Sequence, residues 1–383
     1  MHRLLPTTRV AATGPGTGHA GRTTGLVAVA LALGAPLGVG WSQADGGSER
    51  APQGGAVRWI RPADDQGPCR WGIEGGIEFA VWPAAVGGRP GTGGPRGLIR
   101  IGYPILPPDN APALVNFIAV EPVVPGRGRG YSELERSVAD GEPGRLLWPA
   151  PPDSAAEGGP VAAVPGEITH PEPDRPAVEQ LTVRLNVEPF ANGAHVYVLA
   201  TIRSDLPDLL ELQVFAAPDS ARLEYCVLTA TMGNYERLRL LHLRDRVVSS
   251  LALYGDYGGD AFAPETYFPL AELPRTPAGD VLVAATTDEA DPAAVQPDAA
   301  RPWFWKYAGR KVTQFWMKRA GTFAEGLAAR ANARRVYWAG DFPIPGGVAY
   351  ENLELVEPFE PGRRFWFGIT PRTPDQLLRG EGL

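Results

Sequence analysis

Leu181, Val183, Leu185 and Val187 alternate with Thr182, Arg184 and Asn186; Asn192-Gly193 follows, and Val196, Val198 and Ala200 resume the alternation. Apolar residues at every second position line one face of a strand and cannot line one face of a helix. An Asn-Gly pair between two such runs supplies the positive backbone angles of a hairpin turn. The same pattern, bounded by Gly and Pro clusters, recurs at residues 77–82, 99–103, 115–120, 210–216, 223–231, 281–286, 311–318, 336–338, 353–356 and 364–369. Only residues 235–243 and 322–333 have helical spacing and helix-forming residues, and no strand–helix alternation suggests a parallel sheet. The expected fold is therefore all-β: an antiparallel β-sandwich, jelly-roll-like, with or without an added sheet.

The N-terminus points to export. Residues 1–24 carry Arg3, Arg9 and Arg22 and no acid, residues 25–39 are an apolar run, and Ser42-Gln43-Ala44 offers small residues before a cleavage point. A basic region, a short apolar stretch and a small-x-small exit form the pattern of a secretory signal. Removing residues 1–44 takes the formal charge from −7 to −10. The expected location is secreted or periplasmic, with no membrane contact after cleavage, and an acidic exported chain is a poor nucleic-acid ligand. Residues 45–66 read as a flexible lead-in and 67–148 as an N-terminal β region. Residues 149–177 read as a Pro/Gly-rich linker or long loop. Residues 178–383 read as a C-terminal sandwich, separate from 67–148 or continuous with it. In an oxidising compartment Cys69 and Cys226 either form one disulfide or stay as buried thiols. His170, His195 and His242 have no metal-ligand spacing.

One segment is unusual in charge. The protein has three lysines, Lys306, Lys311 and Lys318, and residues 301–340 hold nine bases against the single acid Glu325. Aromatic residues, Trp305 and Trp316 among them, interleave with the bases. If 310–318 is a strand, Arg310, Gln314, Trp316 and Lys318 share one face and Lys311 lies on the other. Cations with an indole platform suit an anionic polysaccharide, the cations meeting carboxylate or sulfate and the ring stacking on the sugar. The alternative is an outer face whose bases meet solvent and the protein's own acids.

Two further stretches carry candidate chemistry. Asn234, Tyr235, Arg237 and His242 lie where a long strand gives way to the first stretch of helical spacing. Tyr235 or His242 can take the proton α to a uronate carboxylate that Asn234 or Arg237 neutralises, the chemistry of a β-eliminating polysaccharide lyase. The acidic loop of Asp256, Asp260 and Glu265 offers instead a weak Ca²⁺ site or the carboxylates of a glycoside hydrolase; no other cofactor is indicated. Glu133 and Glu135 fall on opposite sides of a strand, or about 200° apart on a helix, and make a poor pair. The Gly126–Gly130 stretch, GRGRG, reads as a loop. The leading expectation is a secreted lyase of anionic polysaccharide, with a glycoside hydrolase second and a non-catalytic carbohydrate-binding or cell-surface sandwich third.

Overall fold

The hairpin written around Asn192-Gly193 joins β9 (Gln180–Val187) to β10 (Val196–Arg203), with Gly193 at φ 85° as the turn requires. It belongs to a computed structural model that describes residues 57–88, 96–106, 109–154, 163–231, 236–259, 261–289, 310–336 and 343–383. The described residues form two antiparallel ten-stranded sheets packed face to face, a β-sandwich. The first runs β1 (Trp59–Ile60), β2 (Arg70–Ile73), β3 (Glu78–Ala80), β4 (Leu98–Leu106), β5 (Ala111–Val124), β12 (Tyr225–Thr231), β19 (Ala349–Val356), β18 (Ala328–Arg334) and β15 (Thr266–Pro269). The short β6 (Gly128–Arg129) pairs with β5 off this path. The second runs β14 (Val247–Ser249), β13 (Leu238–His242), β16 (Val281–Thr287), β17 (Thr313–Lys318), β20 (Arg364–Thr370), β11 (Leu206–Ala216), β10, β9 and β7 (Leu147–Ala150), with β8 (Glu167–Thr169) also on β9.

The period-two alternation decides which side chains meet between the sheets. Ile99, Ile101 and Tyr103 of β4, Ile118 and Val120 of β5, and Leu228 and Ala230 of β12 share one buried cluster with Val183, Val198, Val283, Trp316 and Phe367 of the second sheet. Each such aliphatic or aromatic side chain stabilises the fold by about 1.5–3 kcal/mol on leaving water. The outer face of the second sheet has its own cover. Helix α2 (Pro374–Leu378), started by a capping box between Thr373 and Gln376, lays Leu377 over Leu209, Leu282, Phe315, Met317 and Trp366.

Both stretches with helical spacing contain strands instead. β13 occupies 238–242 and β18 occupies 328–334. In β18 the alanines are helix formers, yet Ala329, Ala331 and Ala333 alternate with Arg330, Asn332 and Arg334. That alternation buries three small side chains in the core while β15 and β19 satisfy the backbone on both sides. Pairing and burial override a propensity difference of well under ~1 kcal/mol per residue. Trp59 and Ile60, within the stretch read as a lead-in, pair with β2, and β7 and β8 both dock on β9.

Cys69 and Cys226 are unbonded thiols. Cys69 precedes β2 and Cys226 lies on β12, four strands further along the first sheet. At about 4.8 Å per strand this puts them roughly 19 Å apart, beyond the ~7 Å a disulfide spans. Burial raises both thiols, Cys226 to about 12. A thiol reagent is therefore expected to leave Cys226 untouched in the native protein and to titrate both thiols on unfolding without reductant. Denatured protein that shows no thiol would mean a disulfide forms.

Candidate functional site

The outer face of the first sheet is where ionisable groups gather. Its core-facing residues on β18 and β19 include Ala331, Ala333, Tyr350 and Leu353, which fixes the outward set between them. Ala331 pairs with Leu353 and Ala333 with Tyr350, so two residues of β19, Glu351 and Asn352, stand opposite the single Asn332. This is a β-bulge, and it turns both Glu351 and Asn352 outward, side by side. The Asn332 side chain accepts a hydrogen bond from the Asn352 backbone N–H (3.1 Å) and holds the bulge. Glu351 and Asn352 line a hollow of about 380 Å³ together with Leu98, Phe117, Ala119, Glu133, Leu134, Thr229, Thr231, Phe262 and Arg334.

Glu133 reaches this hollow on a loop pinned to the sheet. The buried Ser132 hydroxyl donates to the Gly97 carbonyl (2.5 Å) and accepts from the Val120 N–H (2.9 Å). Gly97 has φ 79°, and a Cβ there would lie 1.9 Å from the Ser132 carbonyl oxygen. Only glycine lets the Ser132–Glu133 backbone approach so closely. The Glu133 Oε2 is buried without a hydrogen-bond partner. Burial, opposed by the Arg129 charge, lifts the Glu133 carboxyl to about 7. Burial lifts Glu351 to about 7 as well, against the pull of Arg334. The Arg334 guanidinium sits 4.5 Å from the centre of the Phe262 ring.

Beside the hollow runs a lattice of ion pairs. Arg129 meets Glu354 (2.8 Å), Glu265 (3.2 Å) and Glu121. Arg330 meets Glu354 (2.5 Å) and Glu265 (3.1 Å) and donates to the Tyr267 hydroxyl (3.2 Å). Thr229 also donates to Glu354 (2.7 Å). The lattice pairs Glu354, whereas among the described residues neither carboxyl lining the hollow, Glu133 or Glu351, has a guanidinium at contact distance. Two protonatable carboxyls in one partly apolar hollow, with Asn and Thr beside them, are equipped for proton transfer near neutral pH.

None of the described sequence-predicted residues lines this hollow. Asn234, Tyr235, Asp260 and Trp305 lie outside the described residues. His242 is on β13 with its Nε2 2.9 Å from the Thr286 hydroxyl, on the outer face of the second sheet, and burial lowers its pKa. Arg237 is buried against Glu289 (2.6 Å), whose backbone carbonyl also accepts from Lys311. Arg310 donates to the Pro104 carbonyl (3.2 Å). Gln314, Trp316 and Lys318 share one face as expected, but it is turned into the sandwich and all three are fully buried. Gln314 accepts from Asn116 of the facing sheet (2.6 Å), the Trp316 indole donates to the Leu353 carbonyl (2.8 Å), and Lys318 pairs with Glu357 (2.5 Å). Trp316 decides the orientation, because its indole fills the core against Phe365 and Phe367. The strand thus offers no cationic face to solvent. Asp256 and Glu265 line a separate polar hollow of about 400 Å³. No group of three or more His, Cys, Asp or Glu able to hold a metal occurs among the described residues.

Sequence reasoning passed over Glu133, Glu351 and Arg129. The signal for Glu351 is the broken alternation Tyr350-Glu351-Asn352-Leu353, where two polar residues separate core positions. Arg129 lies in GRGRG, whose residues 128–129 form the edge strand β6 on β5. Among known proteins, no family model, no curated protein and no solved structure matches this chain, so chemistry at the site carries the functional reading.

Proposed function

We propose that the protein is an exported carbohydrate-active enzyme that cleaves glycosidic bonds by acid–base catalysis in the hollow on the outer face of the first sheet. The observation that carries this reading is the β-bulge at Glu351-Asn352, which brings a second carboxyl to the wall that Glu133 already occupies. Glu133 and Glu351, both lifted to about 7, share the proton work: Glu133 gives its proton to the leaving oxygen and Glu351 takes one from the attacking water. Asn352 supplies hydrogen bonds to sugar hydroxyls, and Phe117 and Phe262 supply apolar surface. The N-terminal pattern of residues 1–44 supports export.

β-Elimination needs cations to neutralise a uronate, and the hollow is lined by two carboxyls and one guanidinium. Residues 45–383, incubated with a panel of neutral and acidic polysaccharides, are expected to release reducing ends from a neutral one without the ultraviolet absorbance of an unsaturated product. Absorbance from an acidic glycan, with turnover lost in His242→Ala and kept in Glu351→Gln, would transfer the reading to elimination on the other face. Retarded migration in glycan gels without any product would make the protein a binding module.

A further inference from the structure

The hollow that holds Glu133 and Glu351 is not isolated on its face. A second hollow, of about 400 Å³, is lined by residues 251–257 and 264–266. It begins at helix α1 (Ser250–Tyr254) and ends in edge strand β15. The two have no lining residue in common, but a hydrogen bond and ion pairs tie their linings together. Phe262 lines the first, its carbonyl accepts from the Tyr257 hydroxyl of the second (2.9 Å), and Glu265 of the second is tied by Arg330 and Arg129 to Glu354, two residues from Asn352.

Across the sheet the outward side chains form a continuous band. Phe117 and Ala119 of β5, Thr229 and Thr231 of β12, Glu351 and Asn352 of β19, Arg330 and Arg334 of β18, and Tyr267 of β15 come from five successive strands. At about 4.8 Å per strand the band is roughly 19 Å long. At its edge end two aromatic rings stand in solvent, Phe262 at 43% and Tyr267 at 57% exposure. Each has a guanidinium over it, Arg334 at 4.5 Å and Arg330 at 5.8 Å from the ring centre. Those cations fix the orientation of the rings, and Arg330 also hydrogen-bonds the Tyr267 hydroxyl. The described residues lining the two hollows carry the carboxyls Glu133, Glu351, Asp256 and Glu265 and the guanidinium of Arg334, while Arg129 and Arg330 of the band are already paired with Glu265 and Glu354. A band whose guanidinium groups are matched by its own carboxylates has no surplus of cations to hold a polyanion.

We propose that the two hollows are successive subsites for one uncharged glycan chain, which crosses the band perpendicular to the strands with Phe262 and Tyr267 as stacking platforms between the cleavage point and the second hollow. This rests on the carbohydrate reading above and adds to it the charge class of the substrate and the direction in which the chain lies. A disaccharide fills only the hollow around Glu133 and Glu351, whereas a longer chain also meets Tyr267 and the wall of Asp256 and Glu265. Longer chains are then better substrates, and the exposed rings carry the difference.

The test compares kcat/KM for neutral oligosaccharides, di- to hexasaccharides of gluco-, manno-, xylo- and N-acetylglucosamine series, in wild type and in Tyr267→Ala. A platform ring contributes on the order of 0.5–1.5 kcal/mol, so the hexasaccharide-to-disaccharide ratio should fall about three- to tenfold in the variant. Asp256→Asn, whose side chain keeps its shape, should let uronate-containing hexasaccharides bind more tightly than they bind wild type. If Tyr267→Ala lowers turnover of short and long chains alike, the chain does not cross to the second hollow and the inference fails while the hydrolase reading stands. If wild type turns over none of the series, the hydrolase reading fails and the subsites fall with it.

Discussion

Glu351→Gln is expected to lower kcat by about 10²- to 10⁴-fold on whatever glycan the wild type cleaves, because the amide keeps the shape of the side chain and cannot take up a proton. The same substitution should stabilise the fold. Burial holds the Glu351 carboxyl at about 7 against an ordinary value of 4.5. Between those values the folded chain binds more protons than the unfolded chain, so this group's contribution is fully present below pH 4.5 and is lost as pH rises to 7. At pH 8 the wild type bears the whole cost of a buried carboxylate that Gln does not carry. The gain in denaturant midpoint for Glu351→Gln should thus be larger at pH 8 than at pH 5, and Glu133→Gln should behave in the same way. The activity profile of the wild type should be bell-shaped with both limbs near neutrality. A variant that keeps full turnover, or a midpoint difference that does not vary with pH, would remove Glu351 from the catalytic role. A gain in stability that accompanies a loss of activity separates a functional carboxyl from a structural one.

What the sequence made legible follows from what the period-two signal encodes. Alternation reports which residues share a face, so the strands and the sandwich could be read from runs such as Leu181–Val187 and Val196–Ala200. It does not report which of the two faces turns inward. On β17 the face holding Gln314, Trp316 and Lys318 has more polar character than the face of Phe315 and Met317, and hydropathy alone would bury only the latter. The structure buries both, one in the main core and one under α2, with the charge of Lys318 met inside by Glu357. The helical reading of 322–333 failed for a related reason, since alanine fits a helix and a crowded sheet interior equally well.

The candidate site was out of reach because its members come from distant parts of the chain. Glu133 and Glu351 are brought together by the order β5-β12-β19, a pairing that skips most of the intervening sequence. Glu133 was judged against its neighbour Glu135, which instead pairs with Arg145 and accepts from the Ala191 N–H. Local spacing cannot supply a partner from another strand. The broken alternation at 350–353 was the one local mark of the site, and its meaning depends on knowing that β18 lies opposite.

Glu357→Gln is expected to destabilise the protein by about 3–5 kcal/mol at pH 7, the cost of stranding a buried charge when its partner is removed. Lys318 and Glu357 are fully buried, and the ammonium also lies 3.7 Å from the centre of the Phe365 ring. Glu357 accepts in addition from Arg363 (2.7 Å) and the Ala324 N–H (2.7 Å), and Gln retains an acceptor for the latter. Burial brings Lys318 down to about 8 from 10.5 despite the Glu357 charge. Between those values the unfolded chain binds more protons, so the lysine's contribution to stability rises with pH across that window. Loss of the carboxylate lowers the lysine further, and the variant can escape part of its penalty by shedding the proton. The difference between wild type and Glu357→Gln should consequently be smaller at pH 9.5 than at pH 7. The double variant Lys318→Met with Glu357→Gln should recover most of the loss, because a thioether chain fills the same space beside Trp316 and Phe365 without a charge to solvate. Denaturant unfolding of wild type, the two single variants Lys318→Met and Glu357→Gln, and the double variant at both pH values closes the cycle. A single variant as stable as wild type would mean that water reaches Lys318 and that the strand's basic face is not sealed in the core; a double variant no better than the single would mean that Arg363 and the Ala324 turn, and not the lysine, need the carboxylate.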